Sequence, residues 1–346
     1  MITHPFDANR PGPLLVTGSL IVGMLFLVGV ADSAAEQALF QSQRITPPPS
    51  EYTKRIEGPA SDAAGTLYVV NFKNDGTIGK LPLGATHSEP FIDLPKGSNS
   101  PKDDSIGSGI RFDRAGRMYV ADFNNHNVFV FDPVKKKLSV YFRSGNFHQP
   151  NDLAIAADGT LYASDPDFRS DKKTGQIWRI TPGPATPDGD PTGSGAVMTI
   201  ELPADRPKVG ITNGIDVSPD GQTLYVSESN TRQVWAYRLD GLRLTDARLV
   251  KTFTGPPDSE LDGLRVDVDG KIYVTRLGNG TVAVISPDGN LVREIPLRGK
   301  DPSNLTFGGA DGRTVFVTQV DGRFIEAFRV DRPGREPCMQ FAGAFC

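Results

Sequence analysis

Two carboxylates, three carboxamides and a hydroxyl recur at one place in a repeated pattern along this chain. Glu57, Ser108, Asn151, Asn213, Asp262 and Asn304 each stand eight residues before a glycine: Gly65, Gly116, Gly159, Gly221, Gly270 and Gly312. Oxygen donors of this kind hold Ca²⁺ or a similar hard cation in preference to zinc or copper, and the set contains no His or Cys. Its two acids balance the charge of one divalent ion. Asn, Asp and Ser are also ordinary turn residues, because their side chains bond nearby backbone groups. Ser108 and Asn304 are read in that way, as turn caps. Glu is a poor turn former, so Glu57 and the rest of the acidic and amide set are read as a cation site.

Such a set works only if the fold gathers it. Each glycine is followed by a β-rich run, such as Thr66-Leu67-Tyr68-Val69, Lys271-Ile272-Tyr273-Val274 or Arg313-Thr314-Val315-Phe316-Val317. Successive glycines lie 51, 43, 62, 49 and 42 residues apart, close to the about 40–50 residues of a four-stranded propeller blade. The long interval holds a Pro/Gly/Ser-rich insertion, Thr181 to Gly195, which reads as a surface loop in the third blade. Within a repeat the apolar residues alternate, as in Ile110, Phe112, Met118, Val120, Val128 and Val130, the period of a pleated strand. No long segment after the N-terminal stretch keeps a helical period. The expected fold is therefore all-β, a six-bladed β-propeller spanning 52–332, with the six marked residues at the mouth of its central channel. Tyr52 to Ile56 is the candidate for the strand that closes the ring.

The remaining composition narrows the function. A net charge of −4 over 346 residues gives no electrostatic footprint for nucleic acid or an anionic membrane. Lys135-Lys136-Lys137 reads as a solvated turn. Residues 1–35 contain Arg10, the apolar run Leu14 to Val30 and small residues around Ser33 and Ala35, the make-up of a secretory signal; an uncleaved membrane anchor is the alternative, and would be the chain's one membrane contact. Residues 36–51, with Pro47-Pro48-Pro49, form a linker. Residues 333–346 form a tail holding the two cysteines, Cys338 and Cys346, either bridged or free. The chain is expected to be exported, to the periplasm or medium.

Several stretches carry a family resemblance. Pro150-Asn151-Asp152 with Asp158-Gly159-Thr160-Leu161-Tyr162 and Ser164-Asp165-Pro166, Thr212-Asn213-Gly214-Ile215 with Ser218-Pro219-Asp220-Gly221, Leu261-Asp262-Gly263-Leu264 with Asp267-Val268-Asp269-Gly270, and Ile56-Glu57-Gly58-Pro59 resemble the motifs of the gluconolactonase/regucalcin (senescence-marker protein) family. The resemblance covers roughly Glu57 to Val330. It implies a propeller holding one divalent cation through Glu57, Asn213 and Asp262, with Asn151 beside the ion as a further ligand or a substrate contact. Ca²⁺ is the expected ion, with Mg²⁺, Mn²⁺ and Zn²⁺ left open.

The implied activity is hydrolysis of a sugar lactone, a small-molecule substrate, with Asp262 as the base that takes a proton from water. Gln149 stands where regucalcin-like members place an arginine, and is the expected substrate contact there. His148 is either an acid/base group of the pocket or a loop histidine without a role. Asp165 either faces the site or caps a turn. Trp178 and Trp235 are read as packing residues. Ala121-Asp122-Phe123-Asn124-Asn125-His126-Asn127 departs from the family and resembles NHL-type propellers, so a non-catalytic binding propeller with a structural Ca²⁺ is the second reading. Lyase or strictosidine-synthase-like chemistry is the third. No Gly-x-Ser-x-Gly elbow, His-Glu-x-x-His or phosphate loop is present.

Overall fold

The eight-residue spacing has a local cause. In the first repeat the carboxylate of Asp62 accepts from the backbone N–H of Ala64 and Thr66, while Gly65 N–H bonds back to Asp62 O. Gly65 closes the turn with φ +80°, a conformation that costs glycine least. Asp113 and Asp267 build the same turn. Each inner strand thus enters a tight Asx turn and reverses at once into the second strand of its blade.

The computed structural model describes residues 38–95 and 104–340. It contains six sheets, five of four strands and one of five, antiparallel except where Thr199–Ile200 pairs in parallel with Arg243–Thr252. The inner strands are Tyr52–Ser61, Gly107–Phe112, Leu153–Ile155, Thr212–Val217, Glu260–Val266 and Pro302–Gly308. They line the channel, and each blade runs outward from them, as Tyr52–Ser61, Leu67–Phe72, Thr77–Leu81 and Glu89–Asp93 do in the first. The second strands are buried on both faces. Apolar clusters fill the seams between blades: Ala154, Tyr162 and Ile177 of the third pack with Ile215, Leu224 and Trp235 of the fourth. Trp178 and Trp235 are both buried, as expected of packing residues. The outer strand Leu291–Pro296 is mostly exposed, which is why it lacks a strong apolar signal.

Three expectations change. Ring closure falls to Gln43–Arg44, paired with Phe324–Arg329 of the sixth blade, whereas Tyr52 to Ile56 belongs to the first blade's own inner strand. The stretch read as a linker therefore supplies the closing strand. The insertion in the third blade is a loop only from Gly183 to Thr192, since Gly193–Val197 forms the outer strand; its Asp190 pairs with Lys135 and Lys137. The tail contains a helix, Arg335–Gln340, with Arg335, Glu336, Pro337 and Met339 buried. Cys338 on it is disulfide-bonded. Cys346 and the N-terminal signal or anchor lie outside the described residues, among which no helix is long and apolar enough to cross a membrane.

One turn has a pH consequence. Asp267 Oδ2 is buried without a hydrogen-bond partner. Burial raises this carboxyl from 3.8 to about 6, against the backbone N–H and ammonium of Lys271. A raised folded-state pKa means that its contribution to stability is intact below about pH 4 and is lost as pH climbs to about 6. Asp267→Asn keeps the backbone acceptor and removes the charge. The variant is expected to melt higher at pH 7.5, by on the order of 1–3 kcal/mol, with no gain at pH 4. An equal shift at both pH values would contradict the account.

A candidate active site at the mouth of the central channel

Bulges aim the marked residues. The pairing of the inner strands slips between Glu57 and Ala60, Gly107 and Ile110, Thr212 and Ile215, Leu261 and Leu264, and Pro302 and Leu305. An extra residue at such a slip bends the strand and re-aims its side chain. The inner strands also approach one another closely at this level. A Cβ on Gly58, at φ +54°, would lie 1.7 Å from Ser108 O, and one on Gly263 would lie 2.1 Å from Asn304 Oδ1. Only glycine fits beside Glu57 and Asp262, and that absence of side chain brings neighbouring blades together around the site.

Glu57, Ser108, Asn151 and Asp262 line one pocket of about 190 Å³, with Arg55, Ile106, Phe123 and Val320 among the other walls. Ser108 Oγ donates to Asn151 Oδ1 at 3.3 Å. Glu57 Oε2 accepts from Gly58 N–H at 2.6 Å. Burial pushes Glu57 up to about 8, with the Gly58 bond, Arg265 and Asn304 opposing it and Asp152 adding to it. Asp262 is raised well above the ordinary carboxylate range, first by burial and then by the charges of Glu57, Glu260 and Asp152. The two acids therefore resist ionising together without a cation between them.

Asn213 sits beside Asp262, whose pKa its side chain lowers. Its Nδ2 donates to Ser229 Oγ at 3.0 Å, and its Oδ1 is buried without a hydrogen-bond partner. Asn213 is not among the residues lining the pocket, but an orphaned carbonyl oxygen beside the Asp262 carboxylate is a donor pair suited to a hard cation. Among the described residues no group of three or more His, Cys, Asp and Glu side chains could hold a metal. A cation here would therefore rely on carboxamides as well as the two acids. Glu57, Asn213, Asp262 and Asn151 fit that requirement.

Other expected site residues are placed elsewhere. Gln149 is outside the pocket wall: it is buried, and its Oε1 accepts from Arg169 N–H at 3.2 Å. His148 is exposed, and its backbone N–H bonds Asp165. Asp165 also accepts from Gln149 N–H, Gln176 Nε2 and Trp178 Nε1, so it caps the loop that delivers Asn151 rather than facing the pocket. Ser108 and Asn304, read as turn caps, stand at the site itself. Ser108 bonds Asn151, and Asn304 acts on Glu57.

Two features escaped the sequence. The first is a set of loop anchors six or seven residues after the turn glycines, Asn71, Asp122, Glu228 and Arg276, which joins Asp165 in that role; Gln319 holds the same place in the sixth blade but its amide has no hydrogen-bond partner. Asp122 accepts from Ile106 N–H and Glu228 from Gly210 N–H, while Asn71 donates to Arg55 O; each holds the segment leading into its own inner strand. A second fixed offset from the glycines was the available signal. The second feature is a charged plug beneath the pocket. Asp152 Oδ2 accepts from Arg265 Nη1 at 2.7 Å and Oδ1 from Arg111 Nη2 at 2.9 Å. From the far end the C-terminal helix brings Glu336 to Arg111 and Arg335 to Asp216. Burial opposes the Asp152 charge, but the two arginines outweigh it and hold its pKa below the ordinary value. Glu57 and Asp262 lie above this plug, and a cation beside them would offset the charge of their ionised forms.

Residues 56–321 match the model of the SMP-30/Gluconolactonase/LRE-like region. A gluconolactonase of Zymomonas mobilis is 28% identical over 61% of this chain, which spans 60% of that relative's length. Among solved structures, a gluconolactonase from Xanthomonas campestris superposes with a TM-score of 0.61 at 22% identity, covering 84% of this chain and 89% of that one. A calcium-binding regucalcin from Agrobacterium tumefaciens gives 0.61 at 20% identity, covering 82% and 92%. At these identities the structural likeness speaks for the shared fold.

Proposed function

The chain belongs to the SMP-30/gluconolactonase/LRE-like family, and from that premise we propose that it is a metal-dependent lactonase acting at the channel mouth. The observation that carries the reading is the shared pocket of Glu57, Asn151 and Asp262, two acids of raised pKa, with the orphaned Asn213 side chain beside Asp262. Glu57, Asn213 and Asp262, with Asn151, would hold the ion, most readily Ca²⁺. When bound, a hard cation supplies Lewis-acid polarisation of the lactone carbonyl and stabilises the charge that develops on its oxygen.

The protein's own groups carry the rest. Asp262 takes a proton from the attacking water, which forms a bond to the carbonyl carbon. A cation beside it would favour its ionised form, the form a base needs. The bond from that carbon to the ring oxygen then breaks, the ring oxygen receives the proton, and the product is a hydroxy acid. Asn151, its Oδ1 held by Ser108, keeps Nδ2 to orient the substrate. Ser303 and Asn71 bond backbone carbonyls in the wall and shape the pocket without taking part.

Export belongs to the same reading, so the form to assay is the chain released by a bacterial host, with Ala34 or Glu36 expected at its N-terminus. On a panel of lactones this protein is expected to turn over at least one, to lose that activity in a chelator and to regain it with Ca²⁺. No turnover of any lactone by protein that still binds Ca²⁺ would favour the second reading, a binding propeller. The NHL-like stretch around Asp122 to Asn127 is the observation behind that alternative.

A further inference from the structure

We propose that the lactone taken by this pocket carries an apolar alkyl or aryl substituent in place of a full set of ring hydroxyls, an inference that rests on the lactonase reading above. The pocket lining is of two kinds. The oxygen donors are Glu57, Asn151 and Asp262; the apolar wall is Ile106 and Phe123 of the second blade and Val320 of the sixth, flanking Glu57. Phe123 is backed by Phe168, ring centroids 6.1 Å apart and planes 38° to each other, and Phe168 is 37% exposed. The aromatic pair extends the apolar side outward from the pocket.

The buried polar side chains of the wall beyond the candidate ligands, Asn71, Ser303 and Ser108, are already engaged. Asn71 Nδ2 donates to Arg55 O and Gly107 O, and its Oδ1 accepts from Gly76 N–H. Ser303 Oγ bonds Ile56 O and Thr318 Oγ1. Ser108 Oγ is turned to Asn151; Arg55, on the exposed rim, gives its Nε to Asp75 at 3.1 Å and is the one wall side chain beyond the candidate ligands that keeps donors to spare. An aldonolactone carries a hydroxyl on nearly every ring carbon, and each one buried without a partner costs free energy. A lactone with an alkyl or aryl arm presents its carbonyl to the oxygen side and lays the arm on Phe123, Ile106 and Val320.

The test uses two δ-lactones, δ-decalactone with its pentyl arm and glucono-δ-lactone with its hydroxyls, on the full exported protein supplied with Ca²⁺. The expected kcat/KM ratio is at least about tenfold in favour of δ-decalactone, in the range by which apolar pockets discriminate. Phe123→Ala is expected to lower that ratio about tenfold, and Phe168→Ala, at an exposed ring, to lower it in the same direction. An equal or higher kcat/KM on glucono-δ-lactone overturns the inference and leaves the lactonase reading standing. Hydrolysis of neither compound, nor of any other lactone, overturns both.

Discussion

Asp262→Asn is expected to lower kcat/KM for lactone hydrolysis by roughly 10³–10⁴-fold while leaving the metal-free protein as stable as before or more so. The loss follows from removing the base and weakening the electrostatic frame for the developing oxyanion; it corresponds to about 4–5.5 kcal/mol of transition-state stabilisation. The gain in stability follows from the site's own electrostatics. Burial and the charge of Glu57 raise the proton affinity of Asp262, so neutralising Asp262 relieves a desolvation cost and a repulsion. A residue of purely structural importance would lose activity and stability together. Kinetics read beside thermal melts separate the cases, and activity within about threefold of the parent would remove Asp262 from the mechanism.

The second large effect lies beneath the pocket. Asp152→Ala is expected to destabilise the fold by about 3–5 kcal/mol, the cost of stranding a buried charge. Here two are stranded, because Arg111 and Arg265 are 0% and 2% exposed and share this one carboxylate. They already repel each other, which together with burial lowers the pKa of Arg111. Glu336 reaches Arg111 only at 3.4 Å from the C-terminal helix and would be left as that arginine's nearest acid. Denaturant melts at neutral pH measure the change. A loss under about 1 kcal/mol would mean that the channel is better hydrated, or the arginines better paired, than this arrangement implies.

The sequence revealed the fold because its blades are copies. An Asx turn and a left-handed glycine at a constant distance from each inner strand leave a ruler that composition cannot blur, and Glu57, Asn151 and Asp262 share a pocket as that ruler requires. What stayed hidden is non-local or short. The closing strand Gln43–Arg44 has two residues, too few for any period to register. The helix Arg335–Gln340 has six, and its burial depends on charges more than 100 residues away. Arg111, Asp152 and Arg265 meet only because three separate inner strands converge. Gln149 was read by position in a motif, yet its amide is turned aside by Arg169 N–H, a partner twenty residues downstream.

The most direct test is a crystal structure of the protein grown with Ca²⁺, with Mn²⁺ exchanged in for its anomalous signal. The account predicts a single ion in the mouth of the channel, with oxygens of Glu57, Asn213 and Asp262 at about 2.3–2.6 Å from Ca²⁺. A propeller whose ion binds elsewhere, or whose Asn213 Oδ1 and two acids contribute no ligand, would contradict it.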